Sequence, residues 1–250
     1  MDIAFLLFPG VTQLDLTGPA QVLSRLPGAR VHLVWESLDP VPTDAGFSIL
    51  PNATFADMPS PDLLCVPGGM GIADVIDNEA ALGWVRRAGA EAQWVTSVCT
   101  GALILGAAGL LEGYQATTHW AWHDKLALFG ATPVHARAVM DRNRATGGGV
   151  TAGIDFALTL TAKIAGDTIA RTIQLALEYD PAPPFNAGSV EGAGPEIVAA
   201  YTDRANRIAP DRITRLDAAA RRLGFTARSG GLFPNTIFAH LFNERGALQR

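Results

Sequence analysis

An α/β sandwich on a mostly parallel sheet, with helices on both faces, is the fold class this sequence predicts, and three observations predict it. Four short runs, residues 3–8, 31–36, 62–66 and 94–98, are apolar nearly throughout, as strands covered on both faces must be. They alternate with longer segments whose apolar residues recur at helical spacing. Two of the strands run directly into turns of small residues, where an open parallel sheet gathers its functional groups.

In chain order, residues 3–8 form the first predicted strand, 12–26 a helix and 31–36 the second strand. A turn-rich connection over 54–60 leads to the third strand, 62–66, and then to Pro67-Gly68-Gly69-Met70-Gly71. A helix over 79–89 precedes the fourth strand, 94–98, which passes at once into a helix over 100–111. Residues 120–129 again show helical spacing. The turn-rich segment 140–149 carries a hairpin or short strand before Gly147-Gly148-Gly149, and 150–166 reads as an apolar helix. Asp167 is the expected N-cap of a last core helix over 168–179, stopped by Pro181, Pro183 and Pro184.

After Pro195 the character changes. Residues 203–222 are rich in arginine and alanine, and 229–250 mix glycine, phenylalanine and polar residues without a clear period. The expected division is a catalytic domain over 1–200 and an extension over 201–250, a helix followed by a tail used in packing or contacts between copies.

With 250 residues, 48% of them hydrophobic, the chain can bury one substantial core. A formal net charge of -5 leaves no basic excess to neutralise phosphates, so neither nucleic acid nor an anionic membrane is expected as partner. A small molecule or a second copy of the chain is. No apolar run approaches a membrane span, and Met1-Asp2 before the first strand lacks the basic leader and cleavage site of a signal peptide. The two cysteines, Cys65 and Cys99, fall outside any Cys-x-x-Cys or Cys/His ligand spacing, so neither a disulfide framework nor a metal is indicated, and a reducing cytoplasm is the expected location.

The strongest local feature is Val95-Thr96-Ser97-Val98-Cys99-Thr100-Gly101-Ala102, an apolar strand ending at a cysteine and opening at once into a helix of small residues. This is the logic of a nucleophile elbow: a tight turn lifts the side chain out of the sheet and the first helical amides face it. Those amides and the helix dipole are expected to lower the thiol pKa. Cys65, inside Leu63-Leu64-Cys65-Val66, reads as a core residue. The glycine turn around Gly69 could aim backbone amides into an oxyanion-type hole, whereas the dinucleotide fingerprint and the P-loop lysine are absent.

Asp15 stands between Leu14 and Leu16 in a segment suited to burial. Such a carboxylate either caps a turn or projects into a pocket as acid or base, and the shared crevice at the strand ends favours the second. His119 either orients its neighbours or caps the helix that follows it. His32, His123, His135 and His240 show no ligand spacing with it.

Phe8-Pro9-Gly10 with Asp15 and Gly18-Pro19, Val66-Pro67-Gly68-Gly69, Cys99-Thr100-Gly101-Ala102, Ala116-Thr117-Thr118-His119-Trp120 and Gly148-Gly149-Val150-Thr151-Ala152-Gly153-Ile154-Asp155 together resemble the ThiJ/PfpI superfamily over about residues 1–200. Within it the chain is most similar to the isocyanide-hydrating branch. The resemblance implies a flavodoxin-like sandwich and a cofactor-free, metal-free homodimer that converts isocyanides to N-formamides. It also implies Cys99 as nucleophile through a covalent thioimidate, Asp15 as proton carrier, and Thr100 and Gly69 as substrate-positioning residues. Thr100 stands where the superfamily's proteases place a histidine, and Asp15 where many members place a glutamate. The rival readings are glyoxalase or deglycase chemistry and a redox- or ligand-sensing domain. Against the sensor stand the acidic charge and the few residues after the core, too short for a paired helix-turn-helix module.

Overall fold

The computed structural model describes residues 1–225, so the aperiodic stretch 229–250 lies outside the described residues. In chain order the elements are β1 (Asp2–Leu6), α1 (Gln13–Leu23), β2 (Arg30–Trp35), the short β3 (Val41–Pro42), β4 (Ser48–Ile49) and β5 (Ala53–Thr54), then β6 (Leu63–Val66), α2 (Ile72–Asp77), α3 (Glu79–Glu91), β7 (Trp94–Val98) and α4 (Gly101–Ala107). There follow β8 (Gln115–Ala116), a 3-10 helix (Trp120–Phe129), β9 (Thr132–Pro133), β10 (Ala138–Asp141), β11 (Arg144–Gly147), α5 (Ala152–Ala165), α6 (Asp167–Ala176), α7 (Val190–Ile208) and α8 (Arg212–Arg222).

The four apolar runs form the centre of a seven-stranded sheet of order β10-β11-β7-β6-β1-β2-β5. Every pairing is parallel except β10 with β11, the hairpin expected before the glycine triplet. All of β6 and nearly all of β1 and β7 are buried, because helices cover both faces. One helical group packs α1, α5 and α6 together; the other joins α2, α3, α4, the 3-10 helix and α8. β1 lies between β2 and β6, so the strand order reverses there. A parallel sheet opens a crevice at such a point, beyond the strand C-termini, and the loops after β1, β6 and β7 meet in it.

Several expectations are corrected. Residues 120–129 wind as a 3-10 helix, with Trp122 N–H donating to the His119 carbonyl at 2.9 Å and Gly130 N–H to Ala127 at 3.2 Å. Its buried residues Trp122, Leu126 and Phe129 fit a three- or four-residue step alike, so spacing over ten residues cannot separate the two helix types. Asp167 is the first residue of α6, not its cap. Gly166 caps the helix at φ +90°, a backbone angle that excludes ordinary side chains. Residues 203–222 are not one helix: α7 ends at Ile208 and α8 begins at Arg212, separated by Ala209-Pro210-Asp211.

Candidate active site

Cys99 follows the last residue of β7 and sits at φ +56°, in the left-handed region, at a cost of order 1–3 kcal/mol for a non-glycine residue. Its surroundings over-determine that conformation. The Cys99 N–H donates to the Gly147 carbonyl at 3.0 Å and to the Gly148 carbonyl at 2.8 Å, extending the β7–β11 pairing beyond the strand. Its own carbonyl accepts the Thr118 hydroxyl at 2.7 Å. Two residues on, a Cβ at Gly101 would lie 2.0 Å from the Val66 carbonyl oxygen, so only glycine lets α4 start this close to β6.

Asp15 occupies the first turn of α1 and is fully buried. It is no local cap: its Oδ2 accepts the N–H of Gly68, on the loop after β6, at 3.0 Å. Beside it, the Gly69 N–H donates to Thr100 Oγ1 at 3.1 Å. The loop after β1 is bound to the same turn, with Thr12 N–H on the Gly68 carbonyl and Met70 N–H on the Gly10 carbonyl, both at 2.9 Å. The amides of Gly68 and Gly69 are thus engaged in holding Asp15 and Thr100. A methyl group at Gly68 would press on Thr100 N and Oγ1 at 2.6 Å and on Asp15 Oδ2 at 2.9 Å, which shows how closely Asp15, Thr100 and the glycine turn meet.

Burial pushes the Asp15 carboxyl up to about 7, against the opposing pull of the Gly68 N–H and of the Cys99 thiol. Oδ1 is buried and completes no well-formed hydrogen bond among the described residues. The thiol shift reverses the expectation from the helix amides. Burial raises the Cys99 pKa well above the ordinary value, and the Asp15 charge raises it further, outweighing the Thr100 backbone and hydroxyl contacts that favour the thiolate. At rest the sulfur keeps its proton beside a carboxyl poised near neutrality.

His119 caps the 3-10 helix, its Nδ1 accepting the Ala121 N–H at 3.3 Å. Burial, aided by the Arg212 charge, lowers its pKa to about 4 and leaves it neutral at pH 7. Its ring stacks on Tyr201 with centroids 5.9 Å apart. The sequence pointed to none of the roles of Thr118, Tyr201 and Arg212. Thr118 lies within a quoted motif, but its hold on the Cys99 carbonyl depends on distant chain. Tyr201 and Arg212 come from α7 and α8, and both lie close enough to Cys99 to interact electrostatically with its thiolate form. Their segment reads from sequence as an extension used in packing or contacts between copies. Among the described residues no group of three His, Cys, Asp or Glu side chains could hold a metal ion.

A parallel α/β sandwich whose crest carries a cysteine in a strained strand-to-helix turn, with a buried carboxyl reaching it from the first turn of α1, defines a class of cysteine-elbow proteins. The chain belongs to the DJ-1/PfpI family, whose model matches residues 1–163. It is 54% identical over 198 residues to the isonitrile hydratase of Pseudomonas putida, covering 79% of this chain and 87% of that protein. A solved ThiJ/PfpI family protein from Pseudomonas syringae superposes with a TM-score of 0.80 at 46% identity, over 88% of this chain and 90% of its own. More distantly, an HTH-type transcriptional regulator of Pseudomonas aeruginosa is 29% identical over 190 residues, 72% of this chain and 51% of the regulator.

Proposed function

We propose that the protein is a cysteine-dependent isocyanide hydratase that needs no cofactor, converting an isocyanide and water to an N-substituted formamide. The observation that carries the reading is the buried Asp15 carboxyl beside the elbow thiol, with Oδ1 completing no well-formed hydrogen bond among the described residues and burial raising its pKa to about 7. The 54% identity to an isonitrile hydratase supports the same substrate class.

The terminal carbon of an isocyanide accepts a nucleophile and then a proton at the same atom. As Cys99 Sγ forms its bond to that carbon, the thiol proton passes to Asp15, which returns it to the carbon and leaves a thioimidate, R–N=CH–S–Cys99. A thiol that stays protonated at rest suits this step, since the proton it loses is the one the carbon gains. Asp15 next takes a proton from water as the oxygen adds to the thioimidate carbon and delivers it to nitrogen. Collapse to the carbonyl breaks the C–S bond, and the remaining hydroxyl proton returns to sulfur, releasing R–NH–CHO. A carboxyl with its pKa near 7 can both accept and give a proton near neutrality. Thr100, its hydroxyl held by the Gly69 N–H, positions substrate and water.

In this reading residues 1–200 form the catalytic domain and 201–250 an extension to it. The active form is a homodimer in the reducing cytoplasm, where the free thiols Cys65 and Cys99 persist. Infrared monitoring of the isocyanide stretch, with formamide measured as product, tests the reaction in wild type and Cys99→Ala side by side. Loss confined to the wild type is expected. Turnover of methylglyoxal with none of any isocyanide would overturn the reading in favour of deglycase chemistry.

A further inference from the structure

α8 carries its arginines to different ends. Arg215 is matched by Asp74 at 2.7 Å and Asp77 at 2.9 Å, and Arg222 by Asp77 at 2.8 Å. Arg212, one turn earlier and half-buried, has no carboxylate partner among the described residues. Among the described residues its Nε is buried without an acceptor, and its Nη1 meets only the Met70 sulfur, a weak acceptor, at 3.3 Å. The guanidinium packs over the Trp122 ring at 4.7 Å. Arg212 also lines a cavity between the 3-10 helix, α7 and the start of α8, with Trp122, Tyr201, Ala205 and Ile213 among its walls. Met70 adjoins Gly69, whose amide holds Thr100. The side chain therefore spans from that cavity to the turn that braces the site, close enough to Cys99 that a thiolate there would interact with it electrostatically.

A half-buried guanidinium with an unanswered N–H is costly unless an anion completes it, and a planar carboxylate fits its fork. We propose that Arg212 is a specificity residue that binds a carboxylate on the substrate, so that the preferred isocyanides are isocyano-carboxylates. The inference rests on the hydratase reading for its substrate class, and Arg212 thereby gives the extension a part in substrate choice. A neutral side chain at 212 would lose the charged contact while leaving Cys99 and Asp15 in place.

Two measurements on the full chain test it. In the first, kcat and KM are compared for isocyanoacetate and its methyl ester in wild type, Arg212→Gln and Arg212→Lys, with Arg215→Gln as a control for the integrity of α8. Arg212→Gln is expected to lower the carboxylate-to-ester ratio of kcat/KM by about 10- to 100-fold, chiefly through KM, the range for a lost charge-assisted hydrogen bond. Arg212→Lys should recover part of the ratio, and Arg215→Gln should not move it. In the second, Cys99 alkylation by iodoacetate is compared with that by iodoacetamide. The iodoacetate-to-iodoacetamide rate ratio should fall in Arg212→Gln. An unchanged alkylation ratio overturns the proposal, as does wild type without preference for isocyanoacetate over its ester. If neither isocyanide is consumed, the hydratase reading fails and the alkylation ratio still decides on Arg212.

Discussion

Cys65 lies in β6 and Cys99 just past the end of its parallel neighbour β7, both buried, both with thiol pKa values raised first of all by desolvation. Cys65 sits within β6, in register with Thr96 of β7 and Phe5 of β1, and burial pushes its thiol up to about 12. Cys99 stands one residue past the end of β7 at φ +56°. Even the Asp15 charge raises both thiols. The difference is one of position, not of ionisation. Inside the strand a cysteine is a small apolar filler, whereas past the strand end the turn sets it, still buried, beside the Asp15 carboxyl at the head of the crevice.

The strongest way to break the comparison is to exchange the fates of the two residues. Cys99→Ala should lower isocyanide hydration by at least ~10⁴-fold, whereas Cys65→Ala should keep turnover, as steady-state formamide production will show. Asp15→Asn comes next, with an expected loss of about 10²- to 10⁴-fold in kcat. In wild type, kcat/KM should rise with pH through an apparent value near 7 as the thiol–carboxyl pair loses its first proton, and that limb should vanish in the variant.

Asp15→Asn also has a stability signature. Folding raises the Asp15 pKa from an ordinary 3.8 to about 7, so the stability tied to its neutral form is complete below the lower value and lost as pH rises through the upper one. The asparagine variant should therefore exceed wild type in denaturant midpoint at about pH 8, with the gap closing toward about pH 4. Thr100→Val should cost about 1–3 kcal/mol, because the buried Gly69 N–H loses its acceptor, and it should slow hydration through the displaced turn. The smallest effect expected is the stability loss of Cys65→Ala, about 1 kcal/mol in the same denaturant assay.

The sheet was legible because its central strands are buried on both faces and so are written in apolar residues without alternation. The elbow was legible because a strand ending in Cys99-Thr100-Gly101-Ala102 leaves few other geometries. Asp15 was half legible: its place between two leucines signals burial, but its aim toward Gly68 depends on a loop 53 residues away. The direction of the Cys99 pKa was not legible, since the amides and dipole are local whereas the desolvation that outweighs them comes from the whole enclosure. Gly166, and not Asp167, caps α6 because backbone angle decided the matter over side-chain chemistry. Tyr201 and Arg212 escaped notice because the extension reads as a helix and tail used in packing or contacts between copies, and nothing local ties it to the site.

The central claim, that Cys99 hydrates an isocyanide through a covalent thioimidate, is tested most directly by acid-quenching the protein during turnover and mapping its peptides by mass spectrometry. The expected result is a mass increment equal to one isocyanide molecule on the peptide containing Cys99, with none on the peptide containing Cys65 and none anywhere in Cys99→Ala. Formamide production that continues in Cys99→Ala would contradict it.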